Sequence, residues 1–577
     1  MESESATLLS VIGRVIGTED ATPLEFWVAV APGVQIQLDD VVALNRILPS
    51  GEILRIYGIV AQVRARHEGA RFQSDVFLIA DGLLPAEVSE AAMVQVTRVV
   101  PEVFVPPLPG AEVRKATSEE RAAALDFETV ERKLPAGLSR DGEPVYLDVD
   151  FLDGTKGAHV NISGISGVAT KTSYATFLLY SLFHSGVLGA EATNTKALIF
   201  NVKGEDLLFL DYPNTKLDDE QRLRYSALGL SAGAFKSVGV MAPPRKGDPN
   251  ATPDVGSRSV GVKPFFWTIA QFCSQGLLPF LFADAEDERQ QYTIVVQSVA
   301  ARLMEAARET PRPDGAVSIE GTTVRTFRQL VEFIEAKLIP DDPDERADQR
   351  WTGRAIGGGT INAFIRRLAS ATARVEHLIR ADINDAPKFS LDLDSSQVTV
   401  IDIHNLHERA QRFVVGVVLR QAFDRKESSG VAKPLQFVVL DELNKYAPRE
   451  GSSPIKEILL DVAERGRSLG IILIGAQQTA SEVERRVVAN SAVRVVGRLD
   501  SAEAGRDQYG WLPVAQRQRA TILKPGSMYV SQPRLPVPVL LEFPFPAWAT
   551  RSAEANTLVD PATGMATGDP FEGLGAF

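Results

Sequence analysis

The pattern of hydrophobic and polar positions changes character along the chain. Residues 8 to about 100 alternate in the manner of short strands, with Val34–Leu38 and Ile53–Val63 the most β-rich stretches. Several short strands with turns at this spacing predict a small β-barrel. A proline-rich segment, Pro101–Pro109, follows as a semi-rigid linker, and Thr117–Phe127 is predicted to be a helix with Thr117 or Ser118 as its N-cap.

From about residue 145 the pattern becomes a repetition of strand, loop and helix, which is typical of a parallel sheet. Residues from about 265 to 385 have helical periodicity instead, as in Tyr292–Arg308 and Val324–Leu338. The strands predicted on either side of this helical stretch are Ala197–Val202, Val398–Ile403, Phe437–Leu440, Ile471–Ile474 and Val493–Val496. The pattern therefore predicts one α/β domain interrupted by a helical insertion.

The predicted organisation is a β-barrel followed by a divided α/β core. The barrel is assigned to residues 1–105, and a linker with a helix to residues 106–144. The core is assigned to residues 145–265 and 391–550, with the helical insertion at 266–390 and a C-terminal tail at 551–577. A length of 577 residues suits roughly three or four domains' worth of structure.

Composition narrows the class of protein. The longest apolar runs are far shorter than the about 20 residues that a membrane-spanning helix needs, and the start of the chain is acidic, unlike a secretory signal. Cys273 is the only cysteine, so no intramolecular disulfide is possible. We therefore expect a cytoplasmic protein without a membrane partner. The net charge of −13 disfavours a protein that coats DNA, but it is compatible with a ring whose basic residues line a pore.

The first candidate for chemistry is a glycine-rich loop between strand Val160–Ile162 and a helix predicted at Thr172–His184. A P-loop needs small residues whose backbone N–H groups wrap phosphates, a lysine for the β- and γ-phosphate oxygens, and a hydroxyl for Mg²⁺ at a helix start. Lys171 lies one residue beyond the position that GxxxxGK[ST] gives from Gly164, so a glycine-rich turn with a solvated lysine is the alternative. The predicted ATP-binding residues are Gly164, Gly167, Val168, Ala169, Thr170, Lys171, Thr172 and Ser173.

The second candidate is the apolar strand Phe437–Leu440, which ends in Asp441 and Glu442. In a P-loop enzyme such an aspartate holds Mg²⁺ and the glutamate polarises the attacking water. We therefore predict Thr172 and Asp441 as Mg²⁺ ligands and Glu442 as the catalytic base. The alternative is an ordinary strand that ends in a polar loop.

The third candidate runs from Arg465 through Arg467 into strand Ile471–Ile474 and then to Gln477 and Gln478. A glutamine at the end of the strand beside the acidic strand can sense the γ-phosphate. Arg465 or Arg467 could stabilise the charge of the transition state at a neighbouring subunit's nucleotide. Surface salt bridging is the alternative for either arginine.

These motifs resemble those of the HerA branch of the HerA/FtsK ATPases, from the N-terminal barrel through nearly the whole chain. The segments that carry the resemblance are Val145–Asp148, His159–Gly164, Ile199–Glu205, Val400–Asp402 with Arg412 in the next helix, Glu464–Gly470, and Gln478. The match of Glu464–Gly470 favours Arg467 as the trans-acting arginine, and Gln478 matches the strand-end glutamine. The loop departs from a GSGKS sequence, and Asn201 stands where an aspartate is common.

The resemblance implies a RecA-like P-loop core that forms a homo-hexamer around double-stranded DNA and couples ATP hydrolysis to translocation. It also implies a partner nuclease of the NurA type in DNA-end processing and repair, or another effector in phage defence. Two alternatives stay open: a secretion or conjugation ATPase of the same superfamily, and a nucleotide-binding scaffold with a degraded P-loop that orders a partner effector.

Overall fold

A computed structural model describes residues 11–165, 171–258, 260–282, 290–339, 348–353 and 356–555. The N-terminal part of these residues forms a closed six-stranded barrel. Its strands are β1 (Val11–Val15), β2 (Glu25–Val30), β3 (Val41–Ile47), β4 (Ile53–Glu68), β5 (Glu87–Val100) and β6 (Glu112–Lys115). They pair in the order β1-β2-β5-β4-β3-β6, and β6 closes the barrel by pairing with both β1 and β3.

The barrel differs from its prediction in two places. Val34–Leu38 alternates like a strand, yet it forms none, because no strand of the barrel pairs with it. The closing strand β6 lies in the segment assigned to the linker, so the barrel extends to Lys115. The proline-rich segment before β6 is held against the barrel by Arg46, whose guanidinium donates to the carbonyl of Pro106.

Two strands continue from the barrel as an arm. Beyond Arg64 and Ala91, β4 and β5 pair only with each other, and the short helix α1 (Asp75–Ala80) lies between their ends. Phe72 and Phe77 at this tip are each 72% exposed.

The helix after the barrel begins at one of its two predicted caps. In α2 (Ser118–Ala124), the Thr117 hydroxyl accepts from the Glu120 backbone N–H at 3.3 Å. The Glu120 carboxylate accepts in return from the Thr117 backbone N–H at 3.0 Å. This reciprocal capping box identifies Thr117 as the N-cap.

A twelve-stranded sheet forms the centre of the molecule, in the order β12-β11-β15-β10-β16-β17-β9-β18-β19-β20-β7-β8. Its strands are β7 (Lys133–Leu138), β8 (Pro144–Asp148), β9 (Val160–Ser163), β10 (Lys196–Asn201), β11 (Val238–Ala242), β12 (Val262–Pro264), β15 (Val398–Asp402), β16 (Gln436–Leu440), β17 (Ile471–Gln477), β18 (Val493–Val496), β19 (Ser527–Ser531) and β20 (Val539–Glu542). The separate hairpin of β13 (Val317–Ile319) and β14 (Thr322–Val324) lies outside this sheet.

The half of the sheet from β12 to β18 is parallel, and the half from β18 to β8 is antiparallel. The parallel strands all end at one edge, which we call the carboxyl edge, and begin at the opposite amino edge. Strand β17 lies between β9, which leads into the glycine-rich loop, and β16, which leads into the two carboxylates. This is the strand order of a RecA-like core, and it brings the three predicted motifs to one edge.

Helices cover both faces of the sheet. They are α3 (Lys171–His184), α4 (Asp219–Ala227), α5 (Ile269–Ser274), α6 (Gln290–Glu309), α7 (Phe327–Leu338), α8 (Gln349–Thr352), α9 (Gly358–Val375), α10 (Glu408–Ser429), α11 (Leu443–Tyr446), α12 (Pro454–Leu469), α13 (Arg485–Ala489), α14 (Ser501–Ala504) and α15 (Val514–Ala520). Val324 lies in β14 and not in the predicted helix, because Thr326 caps α7 through the backbone N–H of Gln329. Between β12 and β15 the described residues are mainly helical.

Alternate residues of each central strand enter different cores, as a period of two requires. Leu198 and Phe200 of β10 pack with α5, α6, α7, α9, α10 and α12, whereas Ala197 and Ile199 pack with α3 and α4. Both faces of the strand are therefore buried, which explains its continuous apolar run. The predicted α/β core with a helical insertion and an N-terminal β-barrel is confirmed.

Candidate nucleotide site at the carboxyl edge

Three strand ends meet at the carboxyl edge. Gly164 follows β9, Asp441 and Glu442 follow β16, and Gln478 follows β17. The Gly164 backbone N–H donates to the carbonyl of Gln477 at 3.2 Å, so the start of the glycine-rich loop is tied to the end of β17. Ligands of open α/β sheets bind outside the carboxyl ends of the strands, so this is the expected place for a nucleotide.

The glycine-rich loop is described only at its two ends. Gly164 lies at the start, and Lys171, Thr172 and Ser173 form the first turn of α3. The predicted residues Gly167, Val168, Ala169 and Thr170 lie outside the described residues. The N-terminus of a helix of 14 residues offers unpaired backbone N–H groups and a positive dipole end, both of which favour phosphate.

Lys171 is buried at the start of α3, only 2% exposed. Burial lowers the pKa of its ammonium group, and the nearby charges of Asp441 and Glu442 partly offset this. A buried lysine at the N-terminus of a helix suits a phosphate chain, because an anion bound there would stabilise the charged form. The structure therefore disagrees with the alternative of a solvated lysine.

The two predicted Mg²⁺ ligands lie in direct contact. Thr172 Oγ1 donates a hydrogen bond to Asp441 Oδ2 over 2.8 Å. Among the described residues no group of three or more His, Cys, Asp or Glu side chains is placed to hold a metal. A hydroxyl and one carboxylate nevertheless fit Mg²⁺, which usually takes one or two protein ligands and completes its shell with phosphate and water.

Glu442 is held in an unusual conformation beside this pair. Its φ of 56° lies in the left-handed region, and its backbone N–H donates to Asp441 Oδ1 at 2.8 Å. Its side chain is an acceptor for Gln478 Nε2 at 3.0 Å and forms an ion pair with Lys203. Strain of this kind at a non-glycine residue marks functional positions in proteins.

Burial alone would raise the pKa of Glu442. The hydrogen bonds from Lys203 and Gln478 outweigh burial and hold this pKa below its usual value. Glu442 is therefore a carboxylate near neutral pH, but its Oε1 oxygen is already occupied by two donors. Both donors bind the same oxygen, so Oε2 is the oxygen that can take a proton from water.

The two neighbouring glutamines have different environments. Gln477 is fully buried, and its Nε2 donates to Asn161 Oδ1 and Ser163 Oγ, each at 2.8 Å. These bonds link β17 to β9 and make Gln477 structural. Gln478 reaches Glu442 instead, as a residue that senses the γ-phosphate would.

The sequence analysis included Lys203, Asn201 and Asp402 among the segments that carry the resemblance but gave them no role in the site. Asn201 Nδ2 donates to Asp402 Oδ1 at 2.8 Å, and His404 Nδ1 lies 2.7 Å from the same oxygen. The hydrogen bond that His404 donates to the buried Asp402 carboxylate raises the pKa of His404. Asn201 ends β10, the strand beside β16, and Lys203 follows it two residues later. Their position at the end of a buried strand is the signal in the sequence that could have assigned them to the site.

A cavity of about 430 Å³ opens beside the first turn of α3. One wall is formed by Lys171, Thr172, Lys203 and Asp441, and the other by a C-terminal segment that includes Phe545, Pro546, Trp548 and Arg551. This volume is within the usual range for small-molecule sites. The lining combines phosphate-binding groups with apolar and aromatic groups, which suits the phosphates and the base of a nucleotide.

The two candidate arginines lie away from this site. Arg467 is near the end of α12, where its Nε and Nη2 donate to the carbonyls of Gly154 at 2.9 Å and Thr155 at 2.8 Å. These contacts are at the amino edge, and the seven residues of β17 separate the two edges by roughly 20 Å. Arg467 therefore cannot reach its own subunit's phosphates. Arg465 forms an ion pair with Glu427 and lies over the Phe423 ring, as a structural residue does.

No protein-family model matches the chain, and no curated protein matches it. Among solved structures, VirB4 of Thermoanaerobacter pseudethanolicus is 15% identical over 72% of this chain and 96% of that one, with a TM-score of 0.42. The plasmid coupling protein TrwB in complex with ADP and Mg²⁺ is 12% identical over 77% of this chain and 95% of its own, with a TM-score of 0.46.

The genome packaging NTPase B204 from Sulfolobus turreted icosahedral virus 2, in complex with AMPPCP, covers 26% of this chain and 69% of its own. It is 11% identical, with a TM-score of 0.20. These likenesses concern the fold alone, so the functional argument rests on the chain's own residues.

Proposed function

We propose that this chain is a Mg²⁺-dependent ATP hydrolase that works as a ring-forming motor of the HerA/FtsK type. The observation that carries the proposal is the cluster at the carboxyl edge, where buried Lys171, the Thr172–Asp441 pair and the Glu442–Gln478 pair surround one cavity. A scaffold that only binds nucleotide has no use for a strained, buried glutamate beside the metal ligands.

Each residue has a role that follows from its position. Lys171 and the N-terminus of α3 bind the phosphates, and Thr172 and Asp441 hold Mg²⁺, which neutralises charge on the phosphate oxygens. Glu442 takes a proton from water as the water oxygen attacks the γ-phosphorus and the bond to the bridging oxygen of ADP breaks. Gln478 links Glu442 to the end of β17 and reports the presence of the γ-phosphate.

The position of Arg467 supports an assembly. A trans-acting arginine must lie on a different face from its own subunit's phosphates, and Arg467 lies at the opposite edge of the sheet. Head-to-tail contacts between such faces generate closed rings. We therefore propose a homo-hexamer in which each ATP lies between one subunit's carboxyl edge and the next subunit's Arg467.

The polymer that the ring moves is the second part of the proposal. The main candidate is double-stranded DNA in the pore, with a partner nuclease of the NurA type in DNA-end processing or another effector in phage defence. The second candidate is a conjugation or secretion ATPase, which would move single-stranded DNA or protein. No helix in the described part of the chain is long and apolar enough to cross a membrane.

ATP turnover measured without DNA, with duplex DNA and with single-stranded DNA tests the proposal. We expect turnover that duplex DNA stimulates, that Lys171→Ala abolishes, and that Glu442→Gln lowers by about 10²–10⁴-fold while ATP still binds. Lys216→Met is a matched control, because Lys216 is exposed and outside the site. Stimulation by single-stranded DNA alone would favour the conjugation candidate. ATP binding without turnover would favour the scaffold.

A further inference from the structure

A second cavity lies at the amino edge, on the side of the sheet opposite the nucleotide site. It has a volume of about 630 Å³, and we call it the amino-edge cavity. Its wall includes Lys156 and His159 from the segment before β9, Arg467 from α12, Arg494 from β18, and Trp511. Nothing in the hydrolytic site described above uses this cavity apart from Arg467.

The cavity carries positive charge that the described residues leave uncompensated. The guanidinium of Arg467 donates to two backbone carbonyls and to no carboxylate. The Arg494 side chain forms no hydrogen bond or ion pair within the described part of the chain, and burial lowers its pKa. The one carboxylate among the described lining residues is Glu464, which pairs with Arg486 at 3.0 Å.

The other basic groups in the wall do not supply this charge. Lys156 Nζ lies 2.8 Å from Asp150 and 3.6 Å from Asp148, so its charge is balanced. Burial lowers the pKa of His159 to about 4, which leaves its ring neutral at physiological pH. His159 Nδ1 accepts from the Leu473 backbone N–H at 3.0 Å. The charge available to a ligand therefore belongs to Arg467 and Arg494.

The Arg494 guanidinium is partly buried without a counter-charge, which costs free energy, and the cost is removed when an anion binds. Arg467 is exposed, so this cost belongs to Arg494 alone. The planar fork of arginine matches phosphate oxygens, with two parallel N–H donors. We propose that Arg494 and Arg467 together bind a phosphate group of the neighbouring subunit's nucleotide. This inference rests on the proposed ring, and it adds Arg494 as a second trans-acting residue.

The geometry favours a nucleotide over nucleic acid as the source of the phosphate. The two arginines lie in the wall of one cavity, where both can bind a single phosphate group. The amino-edge cavity and the nucleotide site lie at opposite ends of the same strands. A head-to-tail contact that joins different faces of two copies brings one subunit's cavity to the next subunit's site.

Assembly in a background that does not hydrolyse ATP tests the inference separately from turnover. Glu442→Gln should form rings that ATP stabilises, measured by sedimentation velocity over a range of protein concentrations. Adding Arg494→Gln should raise the concentration needed for ATP-dependent assembly by about tenfold, as expected for loss of a charge-assisted hydrogen bond. Arg485→Gln, an exposed arginine nearby, should leave this concentration unchanged. Equal ATP-dependent assembly with and without Arg494 would overturn the inference.

Subunit mixing shows whether the two arginines serve the same interface. Arg494→Gln should lower kcat by about 10–10²-fold with ATP affinity retained, and Arg494→Lys should restore part of it. Mixed with Lys171→Ala, either Arg467→Gln or Arg494→Gln should regain activity, because some interfaces are then complete. Arg467→Gln mixed with Arg494→Gln should regain none, because no interface has both arginines. Recovery in that last mixture would overturn the inference.

Measurements of DNA binding show whether the phosphate comes from a nucleotide or from nucleic acid. Duplex binding is measured by fluorescence anisotropy at several salt concentrations, and turnover is measured without DNA. We expect Arg494→Gln to lower DNA-free turnover and to leave the salt dependence of duplex binding unchanged. If the slope of log duplex affinity against log salt concentration fell in magnitude by about one while DNA-free turnover stayed intact, Arg494 would bind nucleic acid and the proposal would be contradicted. If the wild-type chain assembles with ATP through Arg494 but hydrolyses none, only the hydrolase proposal fails.

Discussion

Glu442, the proposed catalytic base, is held by two neighbouring donors that affect both its pKa and its position. Its pKa is held low, so it is ionised, yet its Oε1 oxygen is occupied by Lys203 and Gln478. The Lys203 side chain is half exposed, whereas Glu442 is buried. Lys203 can therefore leave the pair more easily than Glu442 can. At the scale of single residues, the two donors keep Glu442 ionised and fix the position of its Oε1 oxygen.

The first prediction concerns the charge of Lys203. Lys203→Met removes a donor that lowers the pKa of Glu442 and leaves burial, which raises it, in place. A carboxylate with a higher pKa becomes protonated, and so inactive as a base, at a higher pH. The acidic limb of the pH profile of kcat should therefore move to higher pH.

The control for this measurement is Lys216→Met, which removes an exposed lysine outside the site. Its pH profile should match that of the wild-type chain. An unchanged acidic limb in Lys203→Met would mean that Glu442 is not the group whose ionisation limits turnover.

At the scale of elements, the ends of strands and helices position the chemistry. The turn from α12 to β17 places Arg467 at the amino edge, and β17 then carries the chain to Gln478 at the other edge. Gly470 makes this turn in the left-handed region, with a φ of 70°. A side chain there would overlap the carbonyl of Ala432, so both the conformation and the space require glycine.

The second prediction compares two glycines that end helices. Gly430 after α10 has a φ of 64° and open space around it, whereas Gly470 has a similar φ and no space. Gly430→Ala should cost only the conformational penalty of about 1 kcal/mol. Gly470→Ala should lower the apparent Tm clearly more, because a backbone carbonyl must also move. Equal Tm shifts for the two variants would contradict this account of the α12–β17 turn.

The sequence predicts elements better than it predicts their partners. The pattern of Val493–Val496 gives the bounds of β18, because a short apolar run between polar residues is a local signal. Val34–Leu38 has an equally good alternation and no strand to pair with, and pairing is not local information. Lys203 lies in a segment that the sequence analysis named, but only the sheet order places β10 beside β16 and so brings Lys203 to Glu442. Arg494 lies within a predicted strand, and only the fold places it in the wall of a cavity.

At the scale of the molecule, two partly buried ion pairs join the barrel to the core. Arg140 contacts Asp40, and Arg519 contacts Asp39, so residues of the core hold the turn before β3. The chain is acidic, with a net charge of −13, and the positive charge of the amino-edge cavity stands out against it.

The central claim at this scale is that one ATP site belongs to two subunits. Arg467 and the cluster around Lys171 lie at opposite edges of one sheet, roughly 20 Å apart, so a complete site requires a neighbour. Lys171→Ala lacks the phosphate-binding lysine and Arg467→Ala lacks the trans-acting arginine. Each variant alone should therefore form rings but should hydrolyse ATP poorly.

Mixing these two variants is the most direct measurement of the claim. In rings with random exchange, about a quarter of the interfaces pair an intact Lys171 with an intact Arg467 of the next subunit. The mixture should therefore regain up to that share of wild-type ATP turnover, measured as phosphate release after exchange is confirmed. No recovery despite confirmed exchange, or full activity of a monomer at all concentrations, would contradict a site shared between subunits.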